Sequence, residues 1–234
     1  PTDSERLVVV AIGGYGRAQM APFSDIDLLF LSPFKLTAWG EQVIEYILYM
    51  LWDLGLRVGH AVRSISESVR VARYDITIFT SMLEARYVCG DRELFDSLQI
   101  KFLQDIKNGN IKNFIESKIS ERQSRHNKFG DNRYLVEPNI KDGKGGLRDL
   151  HTLIWLSKYF IYKKENYLSI QHILTPAEVF KFNKTQEFLW RVRFWLHYTS
   201  GYAEEHLSFD VQNKLSEKLS YRNAEKSSRV ERFM

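Results

Sequence analysis

Hydrophobic positions along this chain fall into two regimes. Leu7 to Ile12 is a short, fully apolar, largely β-branched run that stops at Gly13-Gly14, which predicts a buried strand entering a tight turn. Ile26 to Leu31 predicts a second buried strand, ended by Ser32-Pro33, and Pro22 is expected to close any short helix between the two. Apolar residues at 43, 44, 47, 48, 51 and 54 have helical spacing, and Gly55 follows as a helix stop. Arg57 to Arg63 alternates as a third strand, with Val58, His60 and Val62 on one face. A helical region capped by Ser64 or Ser66 is predicted to reach about Val88, and another to cover Leu94 to Leu103.

Beyond about Gly109 the pattern becomes helical: polar and basic over 110–128, then amphipathic over Leu147–Tyr162, Ala177–Tyr198 and Ser208–Leu219. The Gly-, Asn- and Asp-rich stretch over 129–149 reads as loop, and 222–229 as a soft polar segment. The expected division is an α+β domain over 1–108 and a helical domain over 109–234. In the second, Phe188, Trp190, Phe194 and Trp195 are read as helix core.

Bulk composition narrows the classes. With 234 residues, 44% hydrophobic and 26% charged, the chain can bury a sizeable core. The net charge of +4 suits a protein that handles phosphates without requiring nucleic acid, and no nucleic-acid partner is expected. One cysteine, Cys89, excludes an internal disulfide framework and suits a reducing, cytoplasmic compartment; it is read as a packing residue at a helix end. No apolar run approaches the ~20 residues that span a bilayer, and no signal peptide is evident. Both ends read as cut, as in a piece of a longer protein.

The chemistry concentrates at Ser24-Asp25-Ile26-Asp27. Alternate strand residues share a face, so Asp25 and Asp27 would lie about 6–7 Å apart on one side. Two such carboxylates can grip Mg²⁺ or Mn²⁺, singly or as a pair ~3.5–4 Å apart. A loop end and an Arg partner would explain them too. Gly13-Gly14 can expose N–H groups to phosphate oxygens, or serve only as a tight turn; Arg17, one turn on, can add a phosphate contact. Taken together, strand, Gly-Gly, short helix, Ser-Asp-x-Asp and strand place a triphosphate cradle beside a metal site.

This pattern resembles the polymerase-β-like nucleotidyltransferase superfamily. The segment GGYGRAQMAPFSDIDLLFL, with 51–64, 75–91 and 137–156, resembles the bacterial PII uridylyltransferase family across nearly the whole chain. The last stretch also resembles a motif of the glutamine synthetase adenylyltransferases. The resemblance implies a small mixed sheet flanked by helices and a following helical lobe. It implies transfer of UMP from UTP to a tyrosine of the PII protein with Mg²⁺ or Mn²⁺. On the matching positions, Gly13 and Gly14 would hold phosphates, Asp25 and Asp27 metal, and Ser24 the γ-phosphate, while Lys141, Arg148 and Asp149 would complete the nucleotide cleft.

The superfamily's third carboxylate is missing from Arg57–Arg63. His60 could act as base or be a core residue; Asp75 could serve or merely cap a helix; Asp149 is another candidate. Relatives of full length carry an HD phosphohydrolase domain and ACT domains. None of His60, His126, His151, His172, His197 or His206 precedes an Asp, so UMP removal is not expected from these residues. The other readings are an adenylyltransferase acting on another protein and a nucleotide-binding module without turnover.

Overall fold

The computed structural model describes residues 5–128, 136–164 and 174–234. The described residues form two compact units, one of residues 5–20, 24–114 and 158–164, the other of 21–23, 115–157 and 174–234.

The first unit is built on a mixed four-stranded sheet. Its strands are β1 (Val8–Ala11), β2 (Ile26–Ser32), β3 (Val58–Ser64) and β4 (Arg86–Gly90), in the order β3-β2-β1-β4. β1 pairs antiparallel with β2 and β4, while β2 and β3 run parallel. A parallel neighbour requires a crossover, supplied by α2 (Ala38–Asp53), which follows the four-residue α1 (Gly13–Gly16). Thr37 caps α2 by accepting from Gly40 N–H, and Gly55 (φ +76°) permits the left-handed turn that ends it. Ile44 and Leu48 of α2 pack on Val9, Leu28 and Phe30, covering one face of the sheet. Val8, Val10, Leu29 and Leu31 are buried on the other face, where α5 (Arg92–Asn108) packs against β1 and β2. Two covered faces explain why these strands read as unbroken apolar runs.

Between β3 and β4 lie α3 (Ile65–Tyr74) and α4 (Ile76–Leu83). Ser64 caps α3 and Asp75 caps α4. The predicted helix to Val88 therefore stops at Leu83, and residues 86–90 form β4 instead. Five residues carry too little periodicity to announce a strand, and pairing with the open side of β1 decides the matter. Cys89 is correspondingly an exposed strand residue, not a packed one at a helix end. Pro22 also proves unnecessary as a helix stop: α1 ends at Gly16, and Ala18 takes φ +57° four residues before it.

The helical elements that follow are α6 (Ile111–Lys128), α7 (Leu147–Lys164), α8 (Pro176–Ser200), α9 (Phe209–Lys218) and α10 (Arg229–Phe233). Residues 129–135 of the predicted loop and His172 lie outside the described residues. Ile140, Val192, Leu196, Leu207, Leu215, Leu219 and Phe233 form the core of the second unit. Of the aromatic stripe of α8, Trp195 packs against that core, whereas Phe188 and Phe194 are 37% and 48% exposed; the residues the helix buries are Val192, Arg193, Leu196 and His197. A stripe that mixes apolar and charged burial defeats a purely hydrophobic count. The soft segment at 222–229 contains a short bridge, Ala224 to Ser227, before α10.

Candidate functional site

The Gly-Gly turn and the second aspartate are brought together by strand pairing. β1 runs beside β2, and the Ile12 N–H donates to the Asp27 carbonyl at 3.0 Å. Gly13 follows with φ +56°, a conformation that suits glycine. On the other side, Asp27 stands directly opposite Gly59 of β3. A Cβ on Gly13 would lie 3.0 Å from Asp27 Oδ2, and one on Gly59 would lie 2.9 Å from Asp27 Oδ1. Both glycines thus make room for one carboxylate. A glycine inside a strand signals such close approach, and Gly59 was legible on that ground although the motif did not include it.

Gly14 comes next in α1, whose first N–H groups no carbonyl of the helix can reach. The Arg17 guanidinium lies beside Gly14, its Nη2 being 3.9 Å from where a Cβ would stand. The far end of α1 is held by β4. Arg86 Nη2 donates to the Tyr15 carbonyl at 2.9 Å and Nε to the Gly16 carbonyl at 3.3 Å, with its guanidinium 5.2 Å from the Tyr15 ring centre. A Cβ on Gly16 would overlap the Glu84 carbonyl. Neither Arg86 nor Gly16 was singled out from sequence, because both act through main-chain contacts with residues distant along the chain.

Ser24 is half-buried and Asp25 exposed; both immediately precede β2, where Ile26 N–H donates to the Arg57 carbonyl at 2.8 Å. Among the described residues no group of three or more His, Cys, Asp or Glu is placed to hold a metal ion. At Asp27 the fit of a divalent ion rests on Gly13 and Gly59, whose positions carry no Cβ where it would crowd the two carboxylate oxygens.

His60 is one register position from the Asp27–Gly59 pair. It pairs with Leu28, not Asp27, and so belongs to the face covered by α2. Its ring is 6.5 Å from those of Phe30 and Trp52. By register the His60 and Asp27 side chains stand on opposite faces of the sheet, since one residue along a strand reverses the face. Asp75 is the cap of α4, accepting from Thr77 N–H (2.7 Å), Ile78 N–H (3.2 Å) and the Thr77 hydroxyl (2.5 Å). The Thr77 hydroxyl above all holds its carboxyl below the usual range.

Beside Asp27 a cavity of about 280 Å³ opens toward α4. Its walls include Gly59, Ala61 and Arg63 of β3 and Thr77, Ser81 and Met82 of α4.

The remaining candidates belong to the second unit, where each has a partner. Lys141 lies 3.8 Å from Glu205, and Arg148 Nε lies 3.3 Å from Asp142 Oδ1. Asp149 accepts from Arg125 (2.8 Å), Arg122 (3.2 Å) and Gly145 N–H (2.9 Å) and lies 3.0 Å from His126. Burial opposes its ionisation, but these donors outweigh it and hold its pKa low. Asn139 Oδ1 accepts from Lys141 N–H and Asp142 N–H, shaping the turn that carries them.

The chain is 52% identical over 235 aligned positions to the bifunctional uridylyltransferase/uridylyl-removing enzymes of Nitrobacter winogradskyi and of a Bradyrhizobium species. Each alignment covers all of this chain and 25% of the relative, so the chain spans about a quarter of the length of the curated relatives it matches. No helix among the described residues is long and apolar enough to cross a membrane. The GlnD PII-uridylyltransferase family model matches residues 113–234, more than half of the chain, and the chain belongs to that family.

Proposed function

We propose that this chain carries the nucleotidyl-transfer site of a PII uridylyltransferase, moving UMP from UTP to a tyrosine of PII with release of pyrophosphate. The observation that carries the proposal is Asp27, flanked by Gly13 and Gly59 and adjoining the Gly13-Gly14 turn. In this reading the N–H groups of that turn and Arg17 bind the phosphates of UTP, and Ser24 adds a contact to the γ-phosphate. Asp25 and Asp27 would hold Mg²⁺ or Mn²⁺, which polarises the phosphoryl group and offsets charge on the leaving pyrophosphate. Two carboxylates suffice if the nucleotide and water supply the other oxygens, as is usual for Mg²⁺. Asp75 has its capping role, and the proposal gives His60 no part in proton transfer. Lys141, Arg148 and Asp149 have structural partners, and transfer does not depend on them as direct ligands here. The proposal places the reaction in the cytoplasm. UMP removal is not assigned to this chain.

The test is incubation of the chain with Mg²⁺, purified PII and UTP labelled at the α-phosphorus. Label moves to PII, and Asp25→Asn and Asp27→Asn abolish the transfer. Label arriving from ATP alone would instead establish an adenylyltransferase, and nucleotide binding without transfer a regulatory module.

A further inference from the structure

The second unit has a cavity of about 350 Å³ bounded by α8, the turn after α9, and α10. Its cations come from three separate stretches of chain: Arg191 of α8, Arg222 of the turn and Arg232 of α10. Among the described residues no carboxylate lines it. Other arginines of this unit are met by acids: Arg193 by Glu205, Arg125 by Asp149 and, between α10 and α9, Arg229 by Glu217 at 3.5 Å. Arg232 donates to the Arg222 carbonyl at 2.8 Å, whereas Arg191 and Arg222 are exposed and neither guanidinium pairs with an acid among the described residues. Like charges gathered in one depression repel, and a bound anion relieves that repulsion.

The remaining lining suits a flat ring beside the anion. The rings of Phe188 and Tyr221 both pack on Phe233, with centres 6.5 and 5.5 Å away, so both are steadied from outside the cavity they line. The turn itself ends α9 in a Schellman arrangement. Ser220 N–H donates to the Glu217 carbonyl and Tyr221 N–H to the Ser216 carbonyl, each at 2.9 Å. Carbonyls at the end of α9 that would repel an anion are thereby occupied. Glycine usually holds the position that Ser220 takes at φ +64°. A serine there strains the backbone and puts a hydroxyl donor in the cavity wall. We propose that this cavity is a second nucleotide site, taking a nucleoside monophosphate with its phosphate on the arginines and its base against Phe188 and Tyr221. Guanidinium forks match phosphate oxygens. The volume exceeds what a ring and a phosphate fill alone, which leaves room for the sugar between them. Such walls read phosphate and ring without distinguishing bases, so AMP and UMP are both accepted. The inference is independent of the UMP transfer proposed above, whose Gly13 and Asp27 belong to the first unit.

Calorimetric titration in EDTA, at pH ~7.5 where a phosphomonoester carries nearly two charges, separates this site from one that needs a metal. The chain takes up one equivalent each of AMP, UMP and the minimal probe phenyl phosphate, while inorganic phosphate and phenol each bind at least about tenfold more weakly. Arg191→Ala and Arg222→Ala raise Kd at least about tenfold, the scale of a lost charged hydrogen bond, whereas Arg17→Ala stays within about twofold of the parent. Ser220→Gly separates binding from folding: it relieves the backbone and keeps or raises the melting temperature, yet weakens binding about threefold. Should one arginine variant fail to fold by circular dichroism, the other and Ser220→Gly decide. No uptake by the parent, or unchanged affinity in the arginine variants, overturns the site. So does loss of binding in Arg17→Ala, which would assign the uptake to the Gly13-Gly14 turn. Inorganic phosphate binding as tightly as phenyl phosphate overturns the ring wall, and binding of O-phosphotyrosine but of neither nucleotide would put a phosphorylated protein in the nucleotide's place.

Discussion

Asp27 and Glu205 are both carboxylates drawn partly out of water, and their surroundings are opposite. Glu205 is met by charge. Arg193 donates to both of its oxygens at 2.9 and 2.6 Å, His197 lies 3.4 Å away and Lys141 3.8 Å away. Burial disfavours its charge, yet His197, Arg193 and Lys141 overcome that cost and bring its pKa from 4.5 to about 2. Asp27 is met by two glycines, whose missing side chains keep space beside its oxygens. A carboxylate enclosed by cations holds a fold together. At Asp27 the two glycines set how closely the neighbouring strand and turn approach the carboxylate. Both kinds occur in one chain of ordinary composition, so the residue type alone did not separate them.

Exchanging carboxylates for amides separates the two roles. Asp27→Asn should lower UMP transfer by about 10³-fold or more, equivalent to ~4 kcal/mol of barrier. Its melting temperature should move much less than that of Glu205→Gln. An Asp27→Asn chain that transfers normally would place the catalytic carboxylates elsewhere.

The reverse is expected of Glu205→Gln. Removing one member of a buried ion pair costs about 3 kcal/mol, read as a shift in the urea midpoint. Acid should reproduce the loss. Because the folded pKa of Glu205 lies below its unfolded value, its contribution is fully present above about pH 4.5 and disappears as pH falls toward about 2. The Gln variant should lose that part of the acid sensitivity; an unchanged acid profile would remove Glu205 from the account.

A smaller effect tests the space around Asp27. Gly59→Ala puts a methyl 2.9 Å from Oδ1 and should cost roughly ten- to thirtyfold in transfer, about 1.4–2 kcal/mol, with the sheet intact by circular dichroism. Activity at the parent level would mean that the carboxylate moves aside freely. The smallest expected effect is at Asp75. Asp75→Ala should destabilise by about 1 kcal/mol, the usual worth of a helix cap, with no change in the pH dependence of transfer. A shifted pH–rate profile would restore Asp75 as a base.

Much of the frame was legible because both faces of the sheet are covered. Within the Leu7–Ile12 and Ile26–Leu31 runs, Val8–Ala11 and Leu28–Leu31 are buried without a break, and Gly13, Gly55 and Ser64 mark turns and caps for local reasons. β4 was not legible, since Arg86–Gly90 is a short edge segment defined by its partner β1. The face of His60 could be read from alternation, but its relation to Asp27 required the register of two strands joined through α2. Asp25 and Asp27 stood out by spacing, whereas the Arg193–Glu205 pair joins residues whose charges gave no hint that they are buried.

The grip of β4 on α1 has a thermodynamic consequence. With Arg86 on the Tyr15 and Gly16 carbonyls and Gly16 pressed to the Glu84 backbone, the turn has little conformational freedom left to lose. Ordering a loop around a ligand ordinarily appears in calorimetry as an unfavourable entropy. Nucleotide association at this turn should carry little of that signature, and replacing Arg86 should introduce it even where the measured affinity changes only slightly.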